Sequence, residues 1–196
     1  MRSNIYPIHL IALCVVLLAG CSSSYRIPDD YPRPLVEPIP IQLDLHIDDN
    51  FANYIYKEDR EQRRNVSVQL GEAQTSLFNT VTRAMFTGEE GAPTLRMIPA
   101  VEAFQYAIPR ETRAEIYEVW LKYRITIEEP DGTVLADWLM TGYGKTPTAL
   151  LRGQSDAIKS AANQALRDIG TQLSIGFKQQ PDVSLWLTDN VEGGNQ

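Results

Sequence analysis

The sequence predicts an α+β fold: an antiparallel sheet of about four to five strands with two helices packed on one of its faces. Three observations carry this prediction. Between Tyr117 and Glu128 apolar and polar residues alternate almost without a break, the period of a half-buried strand. Glu129-Pro130-Asp131-Gly132 then places Pro where φ must be near −65° and Gly where φ must be positive, so Thr133 to Tyr143 returns antiparallel. Two stretches, 72–86 and 155–175, carry one-sided apolar stripes at helical spacing, and such stripes need a sheet face to bury them. With 196 residues, 43% of them hydrophobic and 22% charged, the chain has material for one core. A net charge of −7 and a pI near 4.9 exclude nucleic acid as its main partner, because counterion displacement needs clustered Lys and Arg.

In chain order, residues 1–20 read as a signal peptide. Arg2 is the positive start, Ile8 to Leu18 the apolar run, and Ala19-Gly20 the small pair at the cleavage site. The run is shorter than the roughly 20 residues a membrane-spanning helix needs. Leu18-Ala19-Gly20-Cys21 resembles the lipobox of bacterial lipoproteins, which implies acylation of Cys21 as the mature N-terminus and a membrane anchor of palmitate-like chains. At about 0.8 kcal/mol per buried methylene, several acyl chains hold a domain on a bilayer essentially permanently. Cys14 leaves with such a leader, so no free thiol remains and thiol catalysis drops out. Ser22 stands where lipoproteins retained in the inner membrane commonly carry Asp. The resemblance therefore implies the outer membrane, with the domain facing the periplasm.

Residues 21–40 follow as the lipidated cysteine and a proline-rich tether, with Pro28, Pro32, Pro34, Pro38 and Pro40 in one short stretch. Proline fixes φ and removes a donor, so the segment reads as an extended spacer, at about 3.1 Å per residue able to hold a domain up to ~60 Å from the bilayer. The alternative is that Tyr25, Tyr31 and Leu35 tie it down. The domain is expected over 41–180. Ile41 to Ile47 alternates as a strand with His46 on its solvent face, and Asp48 to Asn65 reads as a long charged excursion from which Phe51 to Tyr56 could pack back. Val66 to Leu70 gives a short strand and Gly71 a turn, followed by the first helix. Thr94 to Tyr106 is extended, and Ile108 to Thr112 turns into the clearest strand.

A three-residue Pro130-Asp131-Gly132 loop makes paired positions sum to 262. Trp120 then faces Gly142 and Trp138 faces Arg124, and the two tryptophans share the less buried face with Lys122. The same register turns Asp137 onto the apolar face opposite Ile125, a conflict that a bulge near Asp137 or another loop length would relieve. Trp120, Lys122, Arg124 and Trp138 form the candidate binding surface, an aromatic and basic patch on an acidic protein. The rival is that the 48–65 excursion or the segment around Trp186 covers the tryptophans as a minor core. The second helix opens with Ser155 as the expected N-cap and has Ala161, Ala162 and Ala165 on its apolar side. Val183 to Leu187 suggests a short strand or clasp, within a C-terminal tail over 181–196 that loses order from Thr188.

The chemistry-bearing patterns are thin. Gly144-Lys145-Thr146 lacks the earlier glycine of a phosphate loop, since Leu139 stands there, and Pro147 removes an amide the loop would need. The only histidines are His9 and His46, too few for a zinc site or a hydrolytic triad, and there is no GxSxG elbow. The adjacent carboxylates at 29/30, 48/49, 89/90 and 128/129 diverge rather than converge on a substrate. Lys57, Arg60, Arg63 and Arg64 are interleaved with Glu58, Asp59 and Glu61, a mixed-charge loop or a contact for lipid phosphate or an acidic protein. No enzyme, no metal and no cofactor are expected.

Behind the Leu18-Ala19-Gly20-Cys21 lipobox, the order of strands and helices over 41–177 resembles the YajG-type outer-membrane lipoproteins. More distantly it resembles the LptE-like lipopolysaccharide-assembly lipoproteins, in which two helices lie against a sheet. The first resemblance implies no catalytic residues. The second implies a basic lipopolysaccharide-contacting surface, against which stands a net charge of −8 once a leader holding Arg2 as its only charge is gone. The expected function is a non-enzymatic envelope lipoprotein bound to the membrane through its lipid and to an envelope protein partner. The alternative is a carrier of a lipid or glycan in a cavity between sheet and helices.

Overall fold

The computed structural model describes residues 23–58, 66–148 and 153–192. The elements are β1 (Ser23–Arg26), β2 (Gln42–Leu45), α1 (Asp49–Ala52), β3 (Ile55–Lys57), β4 (Val66–Gln69), α2 (Gly71–Met85), β5 (Thr94–Ala107), α3 (Pro109–Thr112), β6 (Ile116–Glu128), β7 (Val134–Pro147), α4 (Gln154–Gly176) and α5 (Pro181–Leu187). They make an α+β fold with two sheets. The larger runs β2-β5-β6-β7 and the smaller β1-β4-β3.

Both sheets are mixed, where an antiparallel sheet was expected. β2 pairs with β5 in parallel, Leu43 beside Leu95, and β1 pairs with β4 in parallel, Tyr25 beside Val68. Parallel neighbours need a crossover, and the chain between β2 and β5 supplies one in α1, β3, β4 and α2. The strands of the small sheet have three or four residues, too few to display a period in the sequence.

The central strand follows its alternation. Val119, Leu121, Tyr123, Ile125 and Ile127 are all buried on the face covered by the helices. Over them α2 contributes Leu77, Phe78 and Val81, and α4 contributes Ile158, Leu166, Ile169 and Leu173, all buried. The helix α4 starts at Gln154, with Gly153 rather than Ser155 in the cap position. Phe51, Phe78 and Tyr123 pack ring against ring with centroids 5.4 to 5.9 Å apart. Tyr123 donates its hydroxyl proton to Gln74 Oε1 at 2.8 Å, and Gln74 Nε2 donates to the Phe51 carbonyl at 2.5 Å. A polar chain thus threads the core without an orphan, and burial pushes the Tyr123 pKa well up.

Two glycines set the thickness of this layer. A Cβ on Gly142 would stand 2.3 Å from the Ala165 carbonyl oxygen, and one on Gly144 2.0 Å from that of Ala161, so only glycine admits the α4 backbone. The Gly144-Lys145-Thr146 stretch is therefore a strand shaped for helix contact. Along α4, Gln164, Asp168 and Gln172 close the free edge of β7. Asp168 Oδ2 accepts from the Tyr143 amide at 2.9 Å, Gln164 Oε1 from the Lys145 amide at 3.4 Å, and Gln172 Nε2 donates to the Thr141 carbonyl at 3.0 Å. Over Thr141 to Lys145 the edge thus offers no free ladder to another chain.

The free-spacer reading of 21–40 is corrected for its described part. Tyr25, Ile27, Tyr31 and Ile39 are buried in the core, β1 belongs to the small sheet, and Ser76 donates to the Asp29 carbonyl at 2.6 Å. Leu35 alone of the expected contacts stands free, fully exposed. Prolines here keep the strap extended over α2 and α4 instead of away from them. Two further expectations change. The 48–58 part of the excursion folds as α1 and β3, with Asp48 capping α1 through the Phe51 amide at 2.7 Å. The C-terminal segment expected as strand and loose tail is helix α5, which buries Val183 and Leu187 and is followed by a π turn over Thr188–Glu192. The lipobox with Cys21, and Arg60, Arg63 and Arg64, lie outside the described residues.

Candidate binding face

The large sheet has a second face, over which no described helix lies. It is built from alternate residues of β5, β6 and β7. Its register decides which residues meet. The hairpin loop forms as the sequence predicts, with the Gly132 amide donating to the Glu129 carbonyl at 2.9 Å and Gly132 at φ +88°. Immediately after it, a bulge at Leu135 lets Glu128 pair with Val134 while Ile127 pairs with Ala136. Every later pair is displaced by one residue.

That single step settles the conflict at Asp137 and breaks up the expected quartet. Asp137 turns outward beside Thr126, and Trp138 turns inward opposite Ile125, half-buried, its ring 6.5 Å from Phe177. Trp138 is therefore not part of the patch. Trp120, Lys122 and Arg124 remain together on the open face, and Tyr143 takes the place of Gly142 opposite Trp120, with ring centroids 5.7 Å apart. The discomfort of Asp137 on an apolar face was the signal that would have found Tyr143.

The charges on this face are mostly spent. Arg124 donates from Nε to Glu102 at 2.7 Å and from Nη1 to Asp137 at 2.5 Å, and Thr126 donates to the other Asp137 oxygen at 3.0 Å. Glu102 reaches Arg124 because a second bulge, between Val101 and Ala103, leaves it unpaired and outward. These two hydrogen bonds, then the two carboxylate charges, raise the Arg124 pKa further. Arg96 and Asp44 pair at 2.8 Å nearer the β2 edge. Tyr143 donates to Glu118 at 2.5 Å, and this hydrogen bond, ahead of partial burial, pushes its pKa up to about 12.

Lys122 is different. It is exposed, and no described residue pairs with it. It stands at the rim of a depression of about 390 Å³ floored by Ala103 and walled by Gln105, Trp120 and Thr141. A small alanine beside a large aromatic makes the hollow, and the lysine gives it one uncompensated positive charge. Among the described residues no group of three or more His, Cys, Asp or Glu could hold a metal ion, and no described helix is long and apolar enough to cross a membrane.

No family model matches the sequence, and no curated protein matches it. The fold has likenesses among solved structures. Protein XCC0632 of Xanthomonas campestris, of family DUF330, has a TM-score of 0.46 at 11% identity, over 79% of this chain and 92% of that one. A candidate lipoprotein from Caulobacter crescentus has a TM-score of 0.40 at 12% identity, over 61% and 83%. A minor lipoprotein from Acinetobacter baumannii has a TM-score of 0.31 at 11% identity, over 71% and 93%. At these scores the likenesses assign no function to this chain.

Proposed function

We propose that the chain is a lipid-anchored envelope lipoprotein, held in the outer membrane through Cys21, that docks a periplasmic protein on the open face of its large sheet. The carrying observation is the asymmetry of that sheet. One face is filled by two helices, while the other presents Trp120 tilted against Tyr143, a hollow at Ala103, and an unpaired Lys122. A half-buried Trp120 and an exposed Tyr143 beside a cation are of the residue types that dominate binding energy at protein interfaces. The ion pairs of Arg124 keep that residue in place as a rim of the face. The carrier alternative requires space between sheet and helices, where Phe51, Phe78 and Tyr123 and the close approach at Gly142 and Gly144 fill the layer.

Two experiments test the two halves. Cys21→Ser should release the protein into the soluble periplasmic fraction, with no incorporation of labelled fatty acid. Wild-type protein that washes off membranes with salt would overturn the anchor. A photo-crosslinking residue at Thr141 should capture a protein in intact cells, and Trp120→Ala should abolish the adduct. Equal capture from the opposite side of the domain, at Ser174, would overturn the face.

A further inference from the structure

We infer that the domain sits directly on its bilayer by one end of the small sheet, with the β6–β7 hairpin held away from the lipid. This rests on the anchor at Cys21 and adds an orientation to it. The first residue of β1 is Ser23, hydrogen-bonded into the sheet beside Val66. Only Ser22 stands between it and Cys21, and two Cα steps bound the distance between them at about 7 Å. An acylated Cys21 thus leaves no slack, and the sheet end holding Ser23, Val66 and Ser67 must meet the headgroup layer.

The charge at the two ends of the molecule agrees with that placement. At the anchored end the paired row of the small sheet holds Ser24, Ser67 and exposed Lys57, and Glu58, the residue after Lys57, is buried. Ser67 pairs with Lys57 on one side and Ser24 on the other, so these residues form a single row. The small sheet docks on the large one through Tyr56, whose ring lies 4.6 Å from Phe104, and Phe104 pairs with Leu121. From Leu121 the strand β6 runs seven further residues to Glu128, roughly 23 Å at ~3.3 Å per residue. The hairpin at the end of that strand carries Glu128, Glu129 and Asp131, and α5 adds Asp182 and the following turn Asp189 beside it. An acidic pole is repelled by anionic headgroups, and an end with an exposed lysine and hydroxyls is not.

The experiment uses the acylated mature protein in vesicles of phosphatidylethanolamine and phosphatidylglycerol, some lipids bearing a headgroup quencher. The mature chain has no other thiol, so Ser67→Cys and Asp131→Cys each carry one fluorophore. Ser67→Cys should be quenched several-fold more than Asp131→Cys, and Ser24→Cys should repeat the result should the Ser67 variant misfold. Inserting a Gly/Ser spacer between Ser22 and Ser23 should relieve the quenching. Mass spectrometry of the same preparation separates the two claims. An unacylated Cys21 overturns the anchor itself. An acylated protein with equal quenching at the two ends, or with no response to the spacer, overturns the seating while the anchor stands.

Discussion

The two faces of the large sheet share strands, backbone and register, yet they are built by opposite rules. On the inner face each residue is specified by a neighbour it touches, down to two glycines that no side chain can replace. On the outer face the residues are specified by pairing with one another across strands, as Arg124 is with Glu102 and Asp137, and they leave a hollow between them. Stability is decided on the inner face and presentation on the outer one. A substitution inward should be read in melting temperature, and one outward in what the protein captures.

The largest effect should come from charge. Leu121→Asp places an unpaired carboxylate on a fully buried position, which costs several kcal/mol against a total stability of about 5 to 15, and should abolish cooperative unfolding by circular dichroism. Lys122→Asp, one residue along and on the opposite face, should leave the melting transition in place. Equal behaviour of the pair would mean that the outer face is covered in the native assembly. Next comes shape. Gly144→Val drives a side chain into the Ala161 carbonyl and should cost about 3 kcal/mol or more in denaturant titration, whereas Thr141→Val outside should be nearly neutral.

How much of this was legible depends on how locally each feature is encoded. The faces of β6 could be read because Tyr117 to Glu128 alternates almost throughout, and the hairpin loop because Pro130 and Gly132 prescribe its backbone. The helices could be read from their stripes, and Gln164, Asp168 and Gln172 even repeat at the spacing that later caps the edge. The bulge at Leu135 is marked by no glycine or proline, and its only trace was Asp137 on the wrong side, so the site residue Tyr143 was missed and Trp138 wrongly included. The strap over 23–41 misled for a different reason. Its prolines do keep it extended, but tethering is decided by Tyr25, Ile27 and Tyr31, whose pockets are formed by residues far along the chain.

The tryptophans sharpen the comparison at intermediate size. Trp138→Ala empties space against Phe177 on a half-buried position and should cost about 2 to 3 kcal/mol with no change in partner capture. Trp120→Ala should cost less than about 1 kcal/mol and remove the capture. Reversal of the two would restore the patch to the register without a bulge and discard the open face as the binding site.

The smallest effect is a pH response that belongs to the outer face alone. Tyr143 is held protonated by its hydrogen bond to Glu118, which raises its pKa from 10.0 to about 12. A raised pKa means that the folded state retains a proton the unfolded chain gives up. The contribution is therefore complete below pH 10, declines as pH climbs toward 12, and is gone above it. Tyr31 and Tyr123 have raised values too, but through burial, so on that side alkali acts by unfolding the domain rather than by ionising an accessible phenol. Glu118→Gln removes the charge that holds the Tyr143 proton while keeping an acceptor. Spectrophotometric titration should then show one tyrosine ionising at lower pH than in the wild type, while the alkaline unfolding midpoint set by Tyr31 and Tyr123 stays where it was. If the Glu118→Gln titration superimposes on the wild type, the Tyr143–Glu118 contact does not hold the face in solution.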